Sequence, residues 1–527
     1  MRRWNGWGDE SVTLELPATA RAYLAARIGS AQPPPDANIG DVAARIPASR
    51  LPAHPLVDAS TEVRVRHARG QSLPDWFALR FGKIGTAPDG IAFPESSQDV
   101  RDLLTYARGC GAAVIAYGGG TSVTGHVTPE AGNVPTLTIS LARMRALIDL
   151  DEKSRLATFG GGVAGPDLEA QLRAHGYTLG HFPQSFEYST LGGWIVTRSS
   201  GQQSLRYGRM ESLFAGGRIE TPAGTLHIPT FPASAAGIDL REMILGSEGR
   251  IGIVTEAAVR VSELPRRESF EAIFFPNWER ACACVMALAH AGVTLSMIRL
   301  ANPLETFTTL QLAGGSAAAV WLERYLALRG ARGEKCLLLA GVTGSEDDVA
   351  NASHVLRSIA RGFGGVYAGR ALGERWKRNR FRGVYLRNAL WESGYAVDTV
   401  ETAVDWPRVD AMMNAMEGAA RKALGEEPVH AYTHLSHVYP QGSSVYSTFV
   451  FRIAPEYETN IERWTRLKRA VSDAIVANGG TISHQHGVGT DHKPYLAAEK
   501  GELGLDAMRA LFARFDPDGM MNPGKLC

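Results

Sequence analysis

The chain is poor in cysteine: five among 527 residues, namely Cys110, Cys282, Cys284, Cys336 and Cys527. An odd number at irregular spacing argues against a disulfide framework and for a reducing compartment. Cys282 and Cys284 form a C-x-C on a helical stretch, where residues two apart sit about 200° from each other and share no face. No second pair completes a metal site, so both are expected to pack internally. An excess charge of one sign is also missing, since 55 Lys+Arg against 54 Asp+Glu leave a net charge of +1. No global field draws this chain to nucleic acid or to an anionic surface. There is no run of ~18 apolar residues, so no spanning helix is expected. The opening Met1-Arg2-Arg3-Trp4-Asn5-Gly6-Trp7 lacks the apolar stretch of a signal peptide. The closing Gly524-Lys525-Leu526-Cys527 carries no retention, peroxisomal or prenylation signal. A cytoplasmic protein is expected.

What the chain has in excess is glycine, 57 of 527 residues, about 11% against a usual ~7%. Many are clustered, at Gly118-Gly119-Gly120, Gly160-Gly161-Gly162, Gly192-Gly193 and Gly479-Gly480. No three-residue period supports collagen, and the apolar content of 45% is too high for disorder. Clustered glycines permit close approach of backbone to another group.

Residues 1 to about 70 carry short helical stretches and a Pro-rich linker at Gln32-Pro33-Pro34-Pro35-Asp36. Strand and helix then alternate. A strand is expected near residues 89–94. A helix begins at Ser97, with Val100, Leu103, Leu104 and Ala107 at i, i+3, i+4, i+7. Residues 112–117 form a short buried strand that runs straight into the first glycine triplet. Another strand covers residues 136–141, and a helix covers residues 167–174. The segments 191–196, 225–228 and 252–261 complete an α+β unit. From residue 267, strands at 271–275, 336–341 and 445–452 alternate with helices near 277–291, 345–361 and 405–424, as in one α/β sandwich.

Three segments carry chemistry. Gly118-Gly119-Gly120-Thr121-Ser122-Val123-Thr124-Gly125 follows a strand, and successive glycines can expose backbone N–H groups to phosphate oxygens. It has neither the Gly-Lys-Ser/Thr of a Walker loop nor the Gly-x-Gly-x-x-Gly of a dinucleotide fingerprint. The second runs from Pro183 through Ser189-Thr190-Leu191-Gly192-Gly193 to Gly201, and the third is Ile244-Leu245-Gly246-Ser247-Glu248-Gly249. Together, in this order, they resemble the FAD-binding domain of the vanillyl-alcohol-oxidase (PCMH) type. The closing Asp516-Pro517…Asn522-Pro523-Gly524-Lys525 strengthens the likeness. Trp4-Asn5-Gly6-Trp7-Gly8 and the His-rich Ser483-His484-Gln485-His486-Gly487-Val488-Gly489 extend it to the alkyldihydroxyacetonephosphate synthase family, over nearly the whole chain.

The resemblance implies an α+β fold. A PCMH-type FAD-binding domain is joined to an α/β substrate (cap) domain of the FAD-linked oxidase C-terminal type. Residues 1–83 are expected as a helical extension and linker, 84–266 as the FAD domain, 267–475 as the cap, and 476–527 as a segment returning to the flavin. Non-covalent FAD is implied at Gly118, Gly119, Gly120, Thr121, Ser122, Pro183, Ser189, Thr190, Gly193, Thr197, Glu248 and Ile253. His126, just after the first loop, reads as structural. The implied activity replaces the acyl group of acyl-dihydroxyacetone phosphate by a fatty alcohol, an ether-lipid precursor step without net redox change. By resemblance, His486, His484, Tyr446 and Arg299 are catalytic and Arg387 meets the substrate phosphate, with Gln485 also contacting substrate. The basic run Arg375, Lys377, Arg378, Arg380 and Arg382 reads as either a solvated helix face or a mobile loop attracting a phosphorylated or membrane-borne substrate. A peripheral membrane contact and a homodimer stay open, and no metal is expected.

The chain departs from the family at one place. Three consecutive histidines are the family pattern before Gly-Val-Gly, and here the middle one is Gln485, which cannot exchange a proton near neutral pH. A conventional FAD dehydrogenase of a small hydroxy acid or glycerol 3-phosphate is therefore the alternative, with His486 retained in both readings.

Overall fold

The computed structural model describes residues 1–312 and 317–527. Its cofactor half is built on two sheets. A four-stranded sheet runs in the order Val57–Asp58, Gly90–Ala92, Thr136–Ser140, Ala113–Tyr117. The last two strands pair in parallel, and Val114, Leu137 and Ile139 are fully buried between them and the helix Ser97–Gly109. That helix starts where expected, at a capping box formed by Ser96 and Asp99, and buries Val100, Leu103, Leu104 and Ala107. A second, five-stranded sheet is antiparallel, in the order Leu147–Asp151, Leu156–Gly160, Ile253–Arg260, Phe214–Thr221, Gly224–Ile228. The segment 191–196 is the helix Leu191–Val196.

The cap is a seven-stranded sheet, in the order Val366–Tyr367, Arg267–Phe275, Cys336–Gly344, Met297–Ala301, His430–Leu435, Gly442–Arg452, Tyr395–Asp405. All its pairings are antiparallel. The period of two along its strands separates two jobs. Ile298 and Leu300, Ala431 and Leu435, and Val445 and Phe449 point into a core shared with the helices Trp278–His290, Glu346–Gly362, Val409–Ala423 and Tyr457–Ala477. Their alternates, Arg299, Tyr432, His434, Tyr446 and Thr448, line a cavity on the opposite face.

Two expectations change. Residues 1–83 do not stand apart as an extension: Val57–Asp58 adds a strand to the cofactor sheet, while Trp7, Leu73, Trp76 and Phe77 join the core of the cap. The basic run is not a mobile loop. It forms the helix Ala371–Asn379 and a 3-10 turn, Arg382–Tyr385, with Lys377 paired to Glu268 at 2.6 Å and Arg380 lying over Phe182. The cysteines behave as expected in that all five are free, with Cys284 in the cap core and Cys282 packed against it.

Candidate active site

The first glycine loop is shaped by what surrounds it. A side-chain carbon at Gly119 would lie 1.7 Å from Tyr188 O, and one at Gly118 would lie 2.1 Å from Thr190 Oγ1. The loop is thus pressed against the second segment with no room for a Cβ on the inner side. The amides of residues 119–123 find no backbone acceptor among the described residues, and Thr190 Oγ1 is buried without a partner. Orphaned donors beside a hollow suit an anionic group. The hollow is a cavity of about 500 Å³, lined by every residue named above for the cofactor. These residues fit the pyrophosphate and rings of an FAD.

Glu248, which lines this cavity, also ties it to the C-terminal loop. It adopts a left-handed backbone, φ 52°, which lets its carboxylate turn to the C-terminal loop. There it accepts from Val488 N and from Gly489 N at 2.9 Å, while its own carbonyl accepts from Asn522 Nδ2 at 2.7 Å. His126 Nε2 lies 3.1 Å from the same carboxylate, and His126 Nδ1 is hydrogen-bonded to Ser122 Oγ at 2.7 Å. His126 is therefore a brace between the first loop and Glu248.

At the other end of the cavity lie Arg299, Arg387, Tyr446, Gln485 and His486. The rings of Tyr446 and His486 meet edge-on, centroids 6.0 Å apart, and His434 stacks on the other face of Tyr446 at 4.6 Å. Burial pushes the Tyr446 hydroxyl up to about 12. Burial lowers His486 from its ordinary value, against the pull of Glu401. At neutral pH the tyrosine therefore holds its proton and the histidine is free to accept one.

The two arginines differ. Arg299 is paired with Glu305 at 2.5 Å, and Glu305 also bonds His434 at 2.9 Å. Burial alone would raise the Glu305 carboxyl, but His434 and Arg299 hold it down at about 2. Arg387 forms no ion pair among the described residues. It donates to Gln71 O at 2.7 Å and lies 4.3 Å over the Trp76 ring. Burial lowers it to about 10, which leaves it charged. An unpaired guanidinium at a cavity wall is a site for an anion.

His484, expected at the reacting centre, does not reach the cavity wall. It is buried behind Gln485, with Nε2 2.7 Å from both Arg209 Nη1 and Tyr439 Oη, and Nδ1 3.2 Å from Glu401 Oε1. Glu401, His437 and His484 bring three donor atoms within 4.8 Å of one another. A metal does not suit them: the Arg209 guanidinium only donates, so His484 Nε2 keeps its lone pair and Nδ1 carries the hydrogen toward Glu401. Glu401, Glu305, His434, His437, Arg209 and Tyr439 were all missed in the sequence. The readable hints were a glutamate in the middle of an apolar strand and three histidines within residues 430–437.

Two families match the two halves of the chain: "FAD binding domain" over residues 88–228 and "FAD linked oxidases, C-terminal domain" over residues 264–526. The fold and site are thus those of a two-domain FAD-linked flavoprotein. Within that class, the chain is 31% identical to the alkyldihydroxyacetonephosphate synthase of Dictyostelium discoideum, over 88% of this chain and 77% of the relative. A solved alkyldihydroxyacetonephosphate synthase structure superposes with a TM-score of 0.85 at 27% identity, covering 99% of this chain and 98% of that one. The D-lactate dehydrogenase [cytochrome] of Arabidopsis thaliana is more distant, 25% identical over 85% of this chain and 74% of the relative. The chain belongs to the alkyldihydroxyacetonephosphate synthase family and is an FAD-dependent enzyme.

Replacing Gly119 by valine tests the cradle. The Cβ would meet backbone, which cannot swing aside, so Gly119→Val is expected to purify folded but colourless. A yellow variant with stoichiometric FAD, read by absorbance after heat release, would contradict this assignment.

Proposed function

We propose that the protein exchanges the acyl group of acyl-dihydroxyacetone phosphate for a fatty alcohol, releasing the fatty acid and leaving an ether on the same carbon. Residues 84–266 hold the cofactor, residues 267–475 hold the substrate, and residues 476–527 close the site with His486. FAD held by the glycine-rich segments would supply a group able to take up and return an electron pair during the exchange. The observation that carries this reading is Arg387, a buried guanidinium with no ion pair among the described residues, on a cavity whose lining also includes Val384, Leu386, Leu390 and Val397, with Asp398 as the acidic group that acts on it most. A phosphate on a fatty chain satisfies both features. Arg299, already neutralised by Glu305, orients His434 and hence Tyr446 rather than binding the phosphate. Tyr446, which keeps its proton at neutral pH, donates one, and His486, neutral there, accepts one.

A fatty substrate needs a route from a lipid surface. No helix is long and apolar enough to cross a membrane among the described residues. The helix Ala317–Leu328 instead exposes Trp321 (68%), Leu328 (87%) and Tyr325. Phe307 is exposed on the neighbouring helix Pro303–Leu312, whose Thr308 and Thr309 line the cavity. The exposed Trp321, Tyr325 and Leu328, which share one side of their helix at i, i+4, i+7, are the peripheral docking surface in our reading.

The exchange is tested with labelled hexadecanol and palmitoyl-dihydroxyacetone phosphate. Label is expected in the ether product. Bleaching of the flavin by glycerol 3-phosphate or D-lactate without oxygen, with no label transfer, would favour the dehydrogenase instead. Arg387→Ala is expected to keep FAD and raise KM for the phosphorylated substrate at least tenfold, since a charge-assisted hydrogen bond contributes about 1.5–3 kcal/mol. An unchanged KM would refute the phosphate role. Trp321→Glu with Leu328→Glu is expected to cut cosedimentation with phosphatidylcholine–phosphatidylglycerol vesicles several-fold, while activity on detergent-dispersed substrate persists. Unaltered cosedimentation would remove this face from the account.

A further inference from the structure

Gln485 is the residue by which this chain departs from its family, and its surroundings decide which end of its amide meets the cavity. Gln485 Nε2 lies 2.7 Å from Glu401 Oε2. Burial alone would raise the Glu401 carboxyl, but His484, 3.2 Å away, holds it well below the usual carboxylate range. An ionised carboxylate only accepts, so the group touching it is the NH2, however the amide is drawn.

Glu401 is itself held in place. It lies on the edge strand Tyr395–Asp405 directly opposite Tyr446. Its Oε1 faces His484 Nδ1 at 3.2 Å and accepts from Ser436 Oγ at 3.3 Å. His484 is pinned from behind by Arg209 and Tyr439, at 2.7 Å each. The amide therefore cannot turn over without leaving a buried anion facing an oxygen. Its Oε1 receives no hydrogen bond from the described residues and belongs to a side chain lining the cavity beside His486 and Tyr446.

We propose that Gln485 Oε1 is a fixed hydrogen-bond acceptor for the hydroxyl of the alcohol substrate, and that Glu401 is the positioning residue that aims it. This deepens the exchange reading and rests on it for the identity of the alcohol. In acyl-dihydroxyacetone phosphate both terminal oxygens are esterified and the middle carbon is a ketone, so at neutral pH it offers acceptors and no alcohol O–H. The fatty alcohol is the reactant that brings a hydroxyl donor. A histidine at position 485 could take that proton, whereas an amide oxygen only orients it. Removal of the proton then falls to His486, and position 485 selects the alcohol.

Two probes separate binding from chemistry: hexadecanol and 1-methoxyhexadecane, which has the same chain but no O–H. Each is titrated into the FAD-loaded protein in detergent, with the flavin absorbance as readout. The wild type is expected to bind hexadecanol about tenfold more tightly than the ether, the worth of one hydrogen bond. Gln485→Met, similar in volume, is expected to bind the two alike. In exchange assays it should raise KM for hexadecanol about tenfold and leave KM for palmitoyl-dihydroxyacetone phosphate within twofold. Glu401→Gln should do the same. It should also move the acid limb of the kcat/KM profile to lower pH, because the Glu401 charge supports protonation of His486; a purely structural role would lower FAD content without that shift. Gln485→His should add a second ionisation to the profile. Equal discrimination between the probes in wild type and Gln485→Met would overturn the proposal. Absence of exchange in the wild type with discrimination intact would sink the functional reading and leave the acceptor standing.

Discussion

One carboxylate ties the site together. Glu248, held in a left-handed backbone, reaches the amides of Val488 and Gly489 and the ring of His126, while its carbonyl takes Asn522. A segment of the cofactor half, the brace behind the first glycine loop, the His-bearing loop and the chain terminus thus meet at a single buried residue. Charge-assisted bonds to backbone N–H groups are strong, and removing their acceptor would leave several buried donors unpaired. The loop that carries Gln485 and His486 is therefore positioned from the cofactor side, although both residues face the cap.

On the cap side the constraint is the pleat. Because successive residues of a strand point to opposite faces, the sheet can bury Phe449 among helices and present Tyr446 and Thr448 to the cavity. The same alternation sets charge against charge. Arg299 is matched by Glu305 and His434, whereas Arg387 has only a carbonyl and an indole ring. The difference between a satisfied and an unsatisfied guanidinium distinguishes an orienting residue from one that waits for a ligand.

Much of the fold was legible because its signals are local. The capping box at Ser96, the i, i+3, i+4, i+7 pattern after it and the strand running into Gly118 all lie within a few residues of each other. The cavity residues of the cofactor half were named through the likeness of three glycine-rich segments to a known FAD domain, not through any one local signal. What escaped were partners brought together from far apart: Glu401 with Gln485 and His484, Arg209 with His484, Glu305 with His434. Glu248 was picked out as a cofactor residue, but the direction of its carboxylate depends on one positive φ that composition does not encode. His484 and His486 alternate, and nothing local distinguishes the one that faces the cavity from the one behind it. Of the two readings of the basic run the helix stands, and what was not legible is that Lys377 and Arg380 meet Glu268 and Phe182 across the fold.

The strand that carries Glu401 is the last in its sheet among the described residues, and part of its outer edge is taken by the His-bearing loop, where Thr481 N donates to Ala403 O and His484 N to Glu401 O at 3.3 Å each. Near the start of that strand, Leu16, Ala20, Leu24 and Ile28 pack with Leu390, Tyr395 and Val450, and Tyr395 Oη donates to Gly29 O at 2.9 Å. A bare strand edge is a template for pairing with another chain. The loop that delivers His486 thus also occupies part of the edge that such pairing would need.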